Sequence, residues 1–168
     1  MPQIRLARPL RVPADSAATA LSELLNAIAA QEGMWRGFAL HVSLGEVHLP
    51  DVGYVAVPIT LTTAKDETQP RTFDITFVAT NLPSAFPAFT GKMTLEPAGM
   101  GESTLSLTGS YEMPMQIFGR FLDAALMPRV AQRSLENFID EIAAACVARV
   151  DKREAEFARY HFYVQTLR

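Results

Sequence analysis

The segment from Phe89 to Tyr111 reads FTGKMTLEPAGMGESTLSLTGSY, and it constrains the fold more than any other part of the chain. Folded as a hairpin about Gly99–Met100–Gly101, it sets Leu95 opposite Leu105, Met93 opposite Leu107, Gly91 opposite Gly109 and Phe89 opposite Tyr111. Strand side chains alternate with a period of two, so these eight residues share one face. The other face carries Thr90, Lys92, Thr94, Ser106, Thr108 and Ser110 and suits water. Two glycines side by side leave a notch in the apolar face. That is expected of a sheet curved around something, either a helix or a ligand.

The rest of the chain supplies more strands and two helices. Ile4 to Val12 alternates as a first strand, with Pro9 confining that part to an edge or a bulge. Pro13-Ala-Asp-Ser then starts a helix, with Asp15 or Ser16 expected as the cap and Gly33 as the stop. Leu21, Leu24, Leu25 and Ile28 recur along it at helical spacing. From Trp35 to Thr80 the alternation is that of strands: Phe38 to Leu44, Tyr54 to Leu61 (Pro58 again marking an edge or bulge), then Phe73, Ile75 and Phe77 on one face. Lys65 to Pro70 reads as a hairpin loop.

After Pro114 the period becomes helical. Phe118, Phe121, Leu122, Ala125 and Leu126 form one stripe, and Pro128 is expected to kink or restart the helix. From Arg129 to the end there is neither Gly nor Pro, and Leu135, Phe138, Ile139, Ile142 and Cys146 continue the stripe. A single helix over that stretch would exceed roughly 50 Å and overhang the domain. The expected outcomes are a break near Asp151-Lys-Arg-Glu, or last turns, with Phe157 and Tyr160, that pack on a partner in a homodimer, pack back on the chain's own sheet or fray.

A length of 168 residues suits one domain that buries about 70% of its unfolded surface. The net charge of −3, with no stripe of Lys and Arg, argues against a nucleic-acid partner. No apolar run approaches the ~20 residues of a membrane span, and Arg5, Arg8 and Arg11 interrupt any leader-like segment, so a cytoplasmic location is expected. The single cysteine, Cys146, lies on the apolar side of a helix and reads as a small buried hydrophobe rather than a reactive thiol.

Strand, helix, a run of antiparallel strands and a long C-terminal helix make the helix-grip plan, an α+β fold in which a curved antiparallel sheet wraps the last helix. The text Phe86-Pro-Ala-Phe-Thr-Gly-Lys-Met, then Leu105-Ser-Leu-Thr-Gly-Ser-Tyr-Glu-Met-Pro, then Phe118-Gly-Arg-Phe-Leu-Asp resembles small bacterial members of the START-like (SRPBCC) superfamily, which includes Bet v 1-type allergens and polyketide cyclases. The resemblance covers residues 86–146 closely. It implies a helix-grip domain over 1–150, with 151–168 a helical extension of it. It also implies binding of a hydrophobic or amphipathic small molecule or lipid between sheet and helix.

The expected lining is Phe73, Phe77, Phe89, Met93, Leu107 and Tyr111 from the sheet, with Phe118, Leu122 and Leu126 from the last helix. Gly91 and Gly109 would bend the sheet beside the ligand. Tyr54 and Tyr111 could orient a carbonyl or hydroxyl, or bond to backbone instead. Asp123 is either a helix-dipole acid or a lone carboxylate at the cavity mouth. Met34, Met93, Met113, Met115 and Met127 suit a permissive pocket and a loosely packed core equally. His41 and His48 could face one another, but no third ligand has a telling spacing, so no metal is expected. No phosphate loop, Ser-His-Asp order or dinucleotide fingerprint is present, so no cofactor is expected either. An enzyme of the cyclase, aromatase or dehydratase kind would need two converging ionisable groups, with Asp123, Tyr54 and His41 the candidates. The residues leave open whether any reaction is catalysed.

Overall fold

The computed structural model describes residues 3–30, 39–43, 54–79, 88–112 and 127–166, with side chains for 3–30, 59–78, 88–112 and 131–159. Six strands and two helices follow in the order β1 (Gln3–Leu10), α1 (Ala14–Ala30), β2 (Ala39–Ser43), β3 (Tyr54–Lys65), β4 (Thr72–Ala79), β5 (Ala88–Gly99), β6 (Glu102–Glu112) and α2 (Met127–Thr166). The strands form one antiparallel sheet in the order β1-β6-β5-β4-β3-β2.

The β5–β6 register is the one read from the sequence: Leu95 pairs with Leu105, Met93 with Leu107, Gly91 with Gly109 and Phe89 with Tyr111. Gly99 pairs with Glu102, which leaves Met100 and Gly101 as the turn. Gly101 has φ 79°, the left-handed region that a side chain disfavours. The β3–β4 connection is the expected polar loop. There the Asp66 carboxylate accepts hydrogen bonds from the Thr68 amide at 2.9 Å and the Gln69 amide at 3.2 Å. Those bonds, and one from the Thr68 hydroxyl, hold the Asp66 carboxyl below its usual range.

Three prolines fall within the described strands, Pro9, Pro58 and Pro97, and Pro97 borders the register shift between Pro97 and Gly99. Pro9 lies on the edge strand β1. On the interior strand β3, Pro58 pairs with Ala39 of β2, and the described pairing with β4 covers Ile59 to Lys65.

Helix α1 begins at Ala14, and the Pro13 carbonyl accepts the Ala17 amide at 2.9 Å. Pro13 thus occupies the cap position expected of Asp15 or Ser16. Asp15 instead lies in the first turn and pairs with Arg71 at 2.8 Å. The buried face of α1 is Ala17, Ala20, Leu21, Leu24, Leu25 and Ile28. Its alanines let α2 approach closely: the Cys146 thiol donates to the Ala17 carbonyl at 3.3 Å. The expected stop at Gly33 lies outside the described residues.

Helix α2 runs unbroken for 40 residues, about 60 Å. Pro128 is the second residue of α2 as it is described, next to Met127. The expected break near Asp151 does not occur, since no residue from Arg129 onward interrupts the backbone ladder. The buried stripe from Ala131 through Leu135, Ile139, Ile142 and Cys146 ends at Val150. Beyond it, residues 151–159 are exposed except for half-buried Arg153, which pairs with Glu23 of α1. Helix α2 packs against α1 and against β1 and β2, the two edges of the sheet. In a flat sheet six strands wide those edges would lie about 24 Å apart, while a helix is only about 10 Å across. One helix in touch with both edges fits a sheet curled around it.

Candidate functional site

The inner face of the sheet is built in rows that cross the strands. One row runs Leu61, Phe77, Phe89 and Tyr111; the next runs Thr63, Ile75, Gly91, Gly109 and Ile4; a third runs Phe73, Met93, Leu107 and Leu6. Every described member of the first row is buried, as are Phe73, Met93 and Leu107 in the third.

The first row meets α2. The Phe77 and Phe89 rings stack with centroids 5.1 Å apart, and Phe77 meets Phe138 of α2 at 5.2 Å in a tilted arrangement. Three aromatic rings therefore connect sheet and helix. Burial pushes the Tyr111 phenol, at the end of the same row, above its usual pKa, so it stays protonated and able to donate.

The glycine pair does not leave an open notch. A Cβ at either Gly91 or Gly109 would lie 2.7 Å from the Phe89 Cζ, so the Phe89 ring already covers the place two side chains would take. The backbones are also crowded: the same Cβ would overlap the Thr108 carbonyl oxygen from Gly91, or the Thr90 carbonyl oxygen from Gly109. Glycine is required here by the close approach of two strands, and the ring fills the space.

Two hydroxyls on the inner side have no hydrogen-bond partner among the described residues: Thr63 Oγ1 on β3 and Ser134 Oγ on α2. Ser134 is 1% exposed and sits one helical turn before Phe138. Charged ties close the edges. Arg8, on the inner-face register of β1 opposite Leu105, binds the Asp140 carboxylate through Nε and Nη2, and that bond raises its pKa. Burial pushes the Cys146 thiol up to about 11, which makes it inert at neutral pH, as expected of a small core residue.

Eight of the expected site residues, Phe73, Phe77, Phe89, Gly91, Met93, Leu107, Gly109 and Tyr111, thus share this inner face. Tyr54 pairs with Ser43 at the end of β3, and His41 with Ala56, both placed by backbone alone. Phe118, Leu122, Asp123, Leu126 and His48 lie outside the described residues. Sequence reasoning put Phe138 in the helix stripe without setting it against Phe77, and it passed over Ser134. The Ser134 signal was a lone hydroxyl in an otherwise apolar stripe. Among the described residues no three His, Cys, Asp or Glu side chains gather at a metal position. A separate surface cleft of about 320 Å³ lies between the two helices, lined by Asp15, Ser16, Thr19, Val150, Arg153 and Glu154, apart from the inner face of the sheet.

The architecture recurs in solved structures. TTHA0849 from Thermus thermophilus superposes with a TM-score of 0.55 at 16% identity, covering 90% of this chain and 99% of its own. The chain has the helix-grip fold. The di-domain ARO/CYC BexL from the BE-7585A biosynthetic pathway shares the helix-grip architecture with a TM-score of 0.53 at 14% identity, over 90% of this chain and 47% of its own. Norcoclaurine synthase from Thalictrum flavum matches with a TM-score of 0.50 at 11% identity, over 85% and 84%. No protein-family model and no curated protein sequence matches this helix-grip chain. No helix among the described residues is long and apolar enough to cross a membrane.

Proposed function

We propose that this protein binds a hydrophobic or amphipathic small molecule or lipid between the curled sheet and α2. The observation that carries this reading is the buried inner face itself: three aromatic rings bridging sheet and helix beside two unpartnered hydroxyls. An apolar pocket with a few placed polar groups is the usual composition of a small-molecule site. Each ligand methylene buried there contributes about 0.8 kcal/mol, before the cost of association. The fold is shared with BexL and norcoclaurine synthase, whose names indicate work on small organic molecules.

Native mass spectrometry of protein purified from cells tests this directly. A retained adduct of a few hundred daltons, released by organic extraction and replaced by a fluorescent apolar probe at one per chain, is the expected result. Bare protein that also fails to bind such a probe saturably would refute the reading.

The enzyme names of BexL and norcoclaurine synthase favour a second reading, catalysis in the same interior. Tyr111 would serve as a proton donor, with Asp123, Tyr54 or His41 as its ionisable companion. Activity on a polyketide-like substrate that survives both Asp123→Asn and Tyr111→Phe would remove it. Self-association through α2 beyond Val150 is proposed alongside, because that stretch is helical and exposed yet remains outside the domain's own core.

A further inference from the structure

We infer that Ser134 is the polar contact for the bound molecule, and that this molecule carries a hydroxyl or carbonyl oxygen at the depth of the Phe77–Phe89–Phe138 cluster. The inference rests on the binding function proposed above and deepens it by naming the ligand chemistry.

Ser134 is almost completely buried and its Oγ has no partner among the described residues. A buried hydroxyl without a hydrogen bond is destabilising, and native proteins nearly always satisfy such groups. Of its neighbours at helical spacing, Ala131 and Phe138 have no polar side-chain atom, and Asn137 is the polar one. The position is also informative. Ser134 lies one turn from Phe138, whose ring meets Phe77, so its hydroxyl belongs to the helix face that looks onto the aromatic row. The second orphaned hydroxyl, Thr63, lies on β3 two residues from Leu61, the register partner of Phe77. Unpartnered hydroxyls thus occur on both layers around the same cluster. A pure hydrocarbon would leave them unsatisfied, whereas a phenol, a ketone or an oxygenated polyketide-like molecule would satisfy Ser134 on entering.

Two probes of the same ring system separate the possibilities: 2-naphthol and 2-methylnaphthalene, titrated by fluorescence against the full chain. Wild type should bind both saturably. Ser134→Ala should weaken 2-naphthol by about three- to tenfold, the range of one hydrogen bond, and leave 2-methylnaphthalene within about twofold. Without ligand, Ser134→Ala should melt at or above the wild-type temperature, since a helix favours alanine and an orphan group is removed.

If both probes bind but Ser134→Ala discriminates against neither, the assignment is overturned while the binding function stands. A loss confined to Thr63→Val would move the contact to β3 and overturn it likewise. A fall of more than about 5 °C in the ligand-free variant would mean that the hydroxyl already has a partner, and the inference fails. Should that variant fold poorly, Ser134→Cys, close in shape and a weak donor, carries the same comparison. If neither probe binds wild type, the binding function itself falls and takes this inference with it.

Discussion

Replacing Gly109 by alanine adds one methyl group to a place where no atom fits. Its Cβ would lie 2.7 Å from the Gly91 Cα and 2.7 Å from the Phe89 Cζ, and it would overlap the Thr90 carbonyl oxygen. A side chain can rotate away, but a carbonyl within the β5–β6 ladder moves only if the strands part. Overpacking costs about 1–3 kcal/mol and occasionally more, and a backbone obstacle puts Gly109→Ala at about 3 kcal/mol. For a domain of this size that lowers the melting temperature by about 6–12 °C. Urea unfolding followed by circular dichroism checks the free energy directly. Gly99→Ala is the control, because its Cβ meets only a Glu102 carboxylate oxygen at 3.7 Å, and it should stay within about 0.5 kcal/mol of wild type. Adding Phe89→Ala to Gly109→Ala should not restore stability, since the carbonyl remains in the way. A Gly109→Ala protein within 1 kcal/mol of wild type, or full rescue by the truncated ring, would refute the claim that strand approach dictates the glycine (threshold from the low end of overpacking costs, about 1 kcal/mol).

Phe138→Ala removes the helix side of the aromatic bridge and should cost about 3–5 kcal/mol; a loss below about 1 kcal/mol in the same urea assay would contradict the packing described. The Cys146 thiol ordinarily titrates at 9.0 and is held up to about 11 in the fold, so its contribution is complete below pH 9 and is lost as pH rises to 11. Tyr111, raised above 10.0, acts in the same direction. Stability should therefore fall across that window, with Cys146→Ala flattening the decline; an equal decline in the variant would place the effect elsewhere. Arg8→Met should cost less than about 1 kcal/mol, because the Arg8–Asp140 pair is partly exposed, and the cost should shrink in high salt as followed by thermal melts. Truncation after Val150 should convert a dimer to monomer in sedimentation; the same association state in both chains would end the proposal that α2 mediates it.

Much of the sheet was legible because its pattern has only one good solution. Shifting β5 against β6 by one residue would turn Met93, Leu95, Leu105 and Leu107 to water, so alternation alone set the register. The helices were legible in the same way, through Leu21, Leu24, Leu25 and Ile28 in one and Leu135, Ile139 and Ile142 in the other. The site was less so. Which ring covers Gly91 and Gly109 is decided by a side-chain rotamer, and a linear pattern does not encode rotamers. The Phe77–Phe138 contact joins residues 61 apart in the chain (138 − 77), beyond any local period. At α1 the usual preference for Asp or Ser as cap gave way to Pro13, and Asp15 went instead to Arg71 across the fold. At α2 the argument for a break came from domain size, but a helix continues wherever its backbone is uninterrupted.

The position of β1 has a consequence for how the protein is made. Of the described strands this one is synthesised before the others, yet its partner among them is β6, so about a hundred residues, or about 5 to 20 s of synthesis, separate the two. Throughout that interval Ile4, Leu6 and Leu10 form a ready template for another nascent chain. Arg5, Arg8 and Pro9 interleave with them, and cations and proline are the residues that discourage such mispairing. Neutralising the two arginines should therefore lower the yield of native protein far more than it lowers the stability of molecules that have already folded.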